Sequence, residues 1–524
     1  MYGTHEVTNQ SPPLYPFQPF DSDIPLQEAI TREKGDWGME RCRKFGTIAG
    51  SIETLEHAER AEKNEPVLHT HDRFGRRIDR IDLDPSWNWL LRKGIEAGLH
   101  ALPWSMDIPG SHVVRGGLAY LWSQVNIGVM TPLATTHSAI PLMKSNQKVF
   151  NKWGQRLLSH SYDQAVLAGI TTTEKQGGAD LRKISTIAKP AGEGEYEITG
   201  HKWFCSYPSC DIFITLARTP NGLSCFLIES NDDGFTIQRL KEKMGTRSLP
   251  SAEVEFYGVR GSLIGNEGEG LKMIMRMINL GRFDCVLASA GLMRIALTQA
   301  IHHARHRKAF GSSLLEKPLM QNVLADLAIE SEAATTAVFR IARALDENDS
   351  DFARLATALM KYWICKRTPV HVNECMECLG GNGYVEESIL PRLYRDAPLN
   401  AIWEGPGNIA ALDVLRIITK RKEVLERFID ECEYGKGENP LFDDHLDKLK
   451  NLLFTSISEE GVEYFSRRLT GSMAVTFQAS LLLRYAPSFV ADAFCENRLL
   501  HHSLLFGQLA NKGVLEKIVE RAMP

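Results

Sequence analysis

One carboxylate of this sequence stands where acid–base chemistry would want it. Glu404 lies in Trp403-Glu404-Gly405-Pro406-Gly407-Asn408, a small Gly-lined loop that follows Tyr394-Arg395-Asp396 and lies between apolar helical stretches. A carboxylate partly withdrawn from water has a raised pKa, which suits a general base; an N-capping or exposed loop glutamate is the plainer use of the same residue. Four other clusters offer binding chemistry. Thr173-Glu174-Lys175-Gln176-Gly177-Gly178-Ala179-Asp180 runs from a strand into glycines, where backbone N–H groups can face an anion or a ring edge, or simply make a β-turn. Gly200-His201-Lys202-Trp203-Phe204-Cys205-Ser206 sets an aromatic plane beside a hydroxyl, although a tryptophan there also serves as core. Arg307-Lys308-Ala309-Phe310-Gly311 brings a guanidinium fork to a helix end, suited to a phosphate or to solvent. Leu379-Gly380-Gly381-Asn382-Gly383-Tyr384 lets backbone approach a ligand closely, or merely stops a helix.

The elements that must carry these clusters follow from hydrophobic spacing. Residues 1–36 are rich in Pro (Pro12, Pro13, Pro16, Pro19, Pro25), which predicts an extended arm lying on the surface or on a neighbouring subunit. Residues 37–161 carry a helical period, as in Trp87, Leu90, Leu91 and Ile95. Across 162–267 the period falls to two: Tyr196 and Ile198 alternate with Glu195, Glu197 and Thr199, and Val254 and Phe256 with Glu253, Glu255 and Tyr257. Turn signals at Asn221-Gly222 and Asp233-Gly234 mark this as a β domain. Helical spacing returns over 268–424, with Leu271, Ile274, Met275 and Ile278, then Leu319, Val323, Leu324 and Leu327. A Gly435, Gly437, Pro440 loop leads into a last helical block, 425–524, with Leu446, Leu449 and Leu453.

Composition narrows the classes. A net charge of −5 and 24% charged residues exclude a histone-like basic protein and a disordered acidic one, and 43% apolar residues over 524 positions predict several packed units. The ten cysteines are too sparse for a disulfide scaffold and predict a reducing compartment; the N-terminus shows neither a secretory nor a transit pattern, so cytosol is expected. From Gly116 to Met143 there is no charged residue, but Gln124, Asn126, His137, Pro132 and Pro141 favour a buried helix and loop over a membrane span. The glycines Gly265, Gly268 and Gly270 spell GxxGxG, not a Rossmann fingerprint, and neither a Walker loop nor a nucleophile elbow occurs. Cys375 and Cys378 read as buried helical cysteines; His302, His303 and His306 have neighbouring Arg305, Arg307 and Lys308 that would repel a cation, so no metal is expected.

The five clusters occur in the order and at the approximate separations of the acyl-CoA dehydrogenase family, which the sequence resembles over roughly residues 37 to 424. THEVTNQSPPL, TEKQGG, GHKWF, GRFDC, LPRLYR and IWEGPGN look like the branch of flavoproteins of the bacterial adaptive response to alkylation, as does the extra C-terminal block. The resemblance implies a mainly α protein with a middle β-barrel, in helical, barrel, helical order, followed by an extra C-terminal helical domain. It implies bound FAD, a homotetramer, an electron acceptor and an acyl thioester or fatty-acyl ligand, with no membrane. By similarity Thr173 and Ser206 hydrogen-bond the isoalloxazine, Trp203 covers one ring face, and the backbone around Ala179 lines the site, with Phe204 and Cys205 beside it. Arg307 and Phe310 would contact the FAD of a neighbouring subunit, Gly380 and Gly381 would lie near its pyrophosphate, and Trp403, Gly405, Pro406 and Asn408 would complete the set. Glu404 matches the family's base when it lies in the last motif; it would take the pro-R α-proton while the β-hydride passes to flavin N5. Departures are Lys175 for a proline, Ala179 for a serine, Pro318 and Glu377 for glutamines and Pro406 for a threonine. Each lost hydrogen bond is worth about 0.5–1.5 kcal/mol, so some cofactor contacts must be made differently.

The same branch raises duplex DNA as a partner. From Arg421 to Pro524, however, 13 Lys and Arg stand against 16 Asp and Glu, a net of −3. Non-specific DNA affinity comes mainly from neutralising phosphates, so this block argues against a strong inherited role, although Arg467-Arg468 or a basic face shared between subunits could make a local stripe. A mainly non-catalytic flavoprotein that binds DNA, or one that sequesters a long acyl ligand, is the alternative expectation.

Overall fold

The computed structural model describes residues 3–106, 108–456, 461–501 and 504–524. The chain forms two compact units, one from 53–111 and 125–284, the other from 1–52, 112–124 and 285–524.

In the first unit, a hairpin of β1 (Val67–His71) and β2 (Arg77–Asp82) interrupts the block expected to be helical. The sheet then runs through β3 (Ala168–Thr171), β4 (Ile187–Gly192), β5 (Glu195–Cys205), β6 (Ile212–Thr219), β7 (Gly222–Glu229), β8 (Phe235–Leu240) and β9 (Ala252–Ile264). Strands β4, β5, β9, β7 and β6 pair in a ring. The ring closes where Ile187 of β4 meets Arg218 of β6, whose N–H donates to Thr186 O at 2.8 Å. This is the expected middle β-barrel, with β3 added parallel to β6 and β8 antiparallel to β9. The period-two reading holds for Tyr196, Ile198, Val254 and Phe256, which are buried, and for Tyr257, which is exposed; Glu253, expected on the outer face, is buried, where it pairs with Lys241 at 2.6 Å. Asn221-Gly222 lies at the β6–β7 turn.

Helices Ile127–Lys144 and Gln147–Leu157 cover the barrel's core, each begun by an Asn side chain that accepts a backbone N–H: Asn126 from Val129 at 2.9 Å, Asn146 from Val149 at 3.1 Å. Such caps are worth about 1 kcal/mol each. The uncharged stretch thus forms two helices, Ser111–Ser123 and Ile127–Lys144, and the second continues through Pro132 and Pro141 instead of giving way to a loop. Met273, Ile274 and Met277 of helix Gly270–His306 complete this core; Leu271, expected inside, faces out.

The second unit is helical. Helix Pro318–Asp346 starts with Pro at its first position, where the missing N–H costs nothing, and Ser350–Cys378 starts at Asp349, whose carboxylate accepts from Phe352 N. Leu324 and Leu327 are buried as expected, but Leu319 is 84% exposed. The C-terminal block seats helix Ser466–Tyr485 against its neighbours through Phe477, edge-on to Phe352 at 5.8 Å. Leu446, Leu449 and Leu453 of helix Pro440–Ser456 are buried. Buried ion networks hold it as well: Arg498 reaches Asp326 (2.7 Å) and Glu330 (2.8 Å), and Glu431 receives Arg340 (2.7 Å) and Arg484 (2.8 Å).

The N-terminal arm is tied to its own chain. Phe17 N donates to Gly50 O at 3.0 Å, and residues 9–12 hydrogen-bond around the end of helix Gly270–His306. Those bonds also engage the histidines: His302 donates to Pro12 O (2.8 Å) and His303 pairs with Ser11 (2.9 Å). Cys375 and Cys378 are buried, which pushes both thiols up, Cys378 to about 12.

Candidate active site

In the barrel unit, the loop after β3 and the end of β5 are locked together from beneath. Trp203 N donates to Thr173 O at 2.7 Å. Alternation along β5 turns Lys202 inward, where its ammonium reaches Glu174 Oε1 (2.9 Å) and Leu216 O (2.9 Å) with both side chains fully buried. Glu174 also accepts from Thr186 N and Oγ1, Ser185 N and Oγ, and Gln176 Nε2. Burial pushes its carboxyl up, but Lys202 and these donors outweigh that and hold it below the usual range. Glu174 is therefore a structural anion, and sequence reasoning passed over both it and Lys202 although they adjoin Thr173 and Trp203.

What this lock presents outward is a small polar and aromatic platform. Trp203 is half-buried and Phe204 is 46% exposed. The Lys241 ammonium lies 3.2 Å from the Trp203 ring centroid while bonded to Glu253 at 2.6 Å, a desolvated cation–π contact. Thr173 and Ser206 are half-buried, and neither hydroxyl hydrogen-bonds another described residue. Gly178 is tight against Thr173: an added Cβ would come within 2.9 Å of its hydroxyl. Ala179 is exposed. Cys205 is wholly buried and its thiol pushed up by burial, so only its backbone can meet a ligand.

In the helical unit, Glu404 sits on a tight loop between the 3-10 turn Ala397–Ala401 and helix Gly407–Lys420. Glu404 has φ +55° and Gly405 φ +102°. A non-glycine residue pays roughly 1–2 kcal/mol for that region, which persists only where surroundings fix it. They do. Buried Lys361 donates to Asn400 O (2.5 Å) and Gly405 O (3.4 Å), and Trp403 Nε1 donates to Asn400 Oδ1 (3.1 Å). Glu404 itself is half-buried. Beside it a groove of about 460 Å³ is lined by Ile402, Pro406, Gly407 and Asn408 together with Lys366 and Arg467.

The same unit holds the remaining two motifs. Helix Gly270–His306 ends just before Arg307, and a two-residue turn of Phe310 (φ +49°) and Gly311 (φ +85°) joins the short pair Lys308–Ala309 and Ser312–Ser313. Positive φ at both positions is the hairpin-turn geometry, here at the expense of a Phe that is 96% exposed. Gly380 has φ +60°, and an added Cβ at Gly380 or Gly381 would meet nothing within 4 Å, so backbone is open to a ligand there.

Residues 9–164 match the adaptive response protein AidB N-terminal domain, 169–259 the acyl-CoA dehydrogenase middle domain and 268–419 its C-terminal domain. The chain is 38% identical over 513 residues to the putative acyl-CoA dehydrogenase AidB of Escherichia coli (strain K12), covering 94% of each. The chain belongs to the acyl-CoA dehydrogenase family. Within that family it also resembles acyl-CoA dehydrogenase family member 11 of Caenorhabditis elegans, at 30% identity over 79% of this chain and 72% of the relative. A crystal structure of Caenorhabditis elegans ACDH-11 in complex with C11-CoA superposes with a TM-score of 0.87 at 26% identity, covering all of this chain and 93% of that one. Thr173 to Ser206 thus fall inside the matched middle domain of this acyl-CoA dehydrogenase family member, and Arg307 to Asn408 inside its matched C-terminal domain.

Proposed function

We propose that the chain is an FAD-dependent flavoprotein of acyl-CoA dehydrogenase type that oxidises an acyl thioester, with Glu404 as its base. The carrying observation is a carboxylate fixed at positive φ on a loop that a buried lysine pins by two carbonyls. The flavin fits the residues present: a half-buried indole, two hydroxyls with no partner among the described residues, and open glycine backbone at 380 and 381. Thr173 and Ser206 would hydrogen-bond the ring, Trp203 would cover one face, and Phe204, the Cys205 backbone and the chain around Ala179 would flank it. Trp403, Gly405, Pro406 and Asn408 would finish its surroundings. FAD, when bound, supplies the acceptor for the β-hydride at its N5.

The chain's own residues do the rest. Glu404 removes the pro-R α-proton, and its backbone N–H helps polarise the thioester carbonyl, which makes that proton acidic enough to leave. The product is a trans-2-enoyl thioester. An acyl-CoA is the favoured ligand class, supported by the C11-CoA complex of the nematode relative. Arg307 and Phe310 would reach the cofactor of a neighbouring subunit in a homotetramer; the strained, exposed Phe310 supports a partner surface there. A separate electron acceptor would reoxidise the flavin. The ten cysteines, all free and buried, suit the cytosol. Anaerobic addition of acyl-CoAs of graded length should bleach the flavin for at least one chain length; a series without bleaching refutes the dehydrogenase reading.

One observation favours a second reading, in which the protein also binds duplex DNA. At the tip of the β1–β2 hairpin, Arg73 and Arg76 stack on exposed Phe74, at 4.5 and 5.8 Å, and neither guanidinium pairs with a carboxylate among the described residues. Two arginines around a projecting ring suit a groove of negative charge. Duplex affinity at low salt should then fall steeply as salt rises and weaken on Arg73→Ala, Arg76→Ala; absence of binding at low salt removes this reading.

A further inference from the structure

The N-terminal arm does more than cover surface. Asn9 takes up φ +55°, a conformation Asn tolerates better than most residues, and its side-chain amide pairs with the Lys308 backbone at both ends. Nδ2 donates to Lys308 O at 2.8 Å, and Lys308 N donates to Oδ1 at 2.7 Å, as a strand partner would. The Asn9 carbonyl is thereby aimed at Arg307, whose Nη1 donates to it at 2.5 Å. The next residue spans to the glycine turn: Asn382 Nδ2 donates to Gln10 Oε1 at 3.2 Å. Ser11 and Pro12 then bond His303 and His302. Asn9 and Gln10 therefore touch the two motifs read as contacts to the FAD of a neighbouring subunit, residues 307–311 and 379–384, while Ser11 and Pro12 anchor the arm on the helix that precedes the first of them. Pro12, Pro13 and Pro16 restrict the arm before it docks, which lowers the entropic cost of holding it.

We infer that Asn9 is a positioning residue for Arg307, orienting its guanidinium toward the cofactor phosphates, with Gln10 fixing the Gly380–Asn382 turn alongside. The inference rests on the reading of Arg307 as a cofactor contact. An unrestrained Arg must give up rotamer freedom on binding; one already held by a carbonyl gives up less.

The test is a double-mutant cycle on full-length chain stripped of flavin and titrated with FAD. Arg307→Ala should weaken FAD binding, and Asn9→Ala should weaken it about tenfold, the scale of a lost hydrogen bond to a charged group. If Asn9 acts through Arg307, adding Asn9→Ala to Arg307→Ala should change nothing further, whereas a general loosening would multiply the two effects. Asn9→Gly keeps the left-handed backbone and the carbonyl, and should recover part of the affinity. Multiplying effects, or an Asn9→Ala chain that binds FAD normally while Arg307→Ala does not, overturns the inference and leaves the reading of Arg307 standing. Normal binding by Arg307→Ala overturns that reading and the inference with it.

Discussion

Glu404→Gln is expected to slow acyl-CoA-dependent flavin bleaching by about 10²–10⁴-fold, the usual contribution of a positioned general base. The change removes one proton acceptor and keeps the side chain's size. The amide is nearly isosteric, and Lys361 holds the loop through the carbonyls of Asn400 and Gly405, not through the Glu404 side chain. The backbone N–H that would polarise the thioester is also unaltered. FAD content and the oxidised spectrum should therefore match the parent protein, and only the rate of anaerobic reduction should collapse. A variant that bleaches at the parent rate would remove Glu404 from the chemistry while leaving the family assignment intact.

The second large effect concerns stability. Arg498 is buried with Nη2 at 2.7 Å from Asp326 and 2.8 Å from Glu330, and Glu330 also receives Arg367 at 3.0 Å. Arg498→Met should destabilise the helical unit by about 3–5 kcal/mol, because two buried carboxylates lose a cation they cannot replace with water. Hydrogen exchange in helices Pro318–Asp346 and Ser488–Phe494 should report it; unchanged protection there would refute the assignment. The same network sets an acid limit. Burial alone would push the Glu330 carboxyl up, but Arg367 and Arg498 hold it at about 2, and Arg340 and Arg484 do the same for Glu431. Because both folded values lie below the unfolded value near 4.5, the stability they lend is complete above that pH. It is lost as pH falls from there toward 2, on the order of 3 kcal/mol per group. Glu332, whose carboxyl burial pushes up, works in the opposite sense.

Much of the barrel was legible because its strands keep one face dry: Tyr196, Ile198, Val254 and Phe256 declare period two without help from distant residues. The β1–β2 hairpin was not, since its strands alternate His, Thr, Arg and Asp over two wet faces and carry no apolar period. Helix faces failed for a related reason. Leu271 and Leu319 fit a helical stripe but point outward, and periodicity does not say which side a neighbour will cover. At the candidate site, the motif residues were visible as motifs, but what fixes them was not. Lys361 lies 44 residues from Gly405, and Lys241 reaches Trp203 from the end of β8, so both contacts exist only after folding. Glu174 and Lys202 had a local signal, two opposite charges in strand-adjacent motifs, and went unread because their alternation was not extended past Thr173 and Trp203.

Arg521, near one extreme of the sequence, bonds Glu28 near the other at 3.2 Å, and grips Glu332 at 3.0 Å between them. Glu28 and Arg521 stand 493 positions apart, so this clasp can fasten only after all the chain between them has been synthesised. Until then Glu332 goes without the guanidinium that it meets once buried.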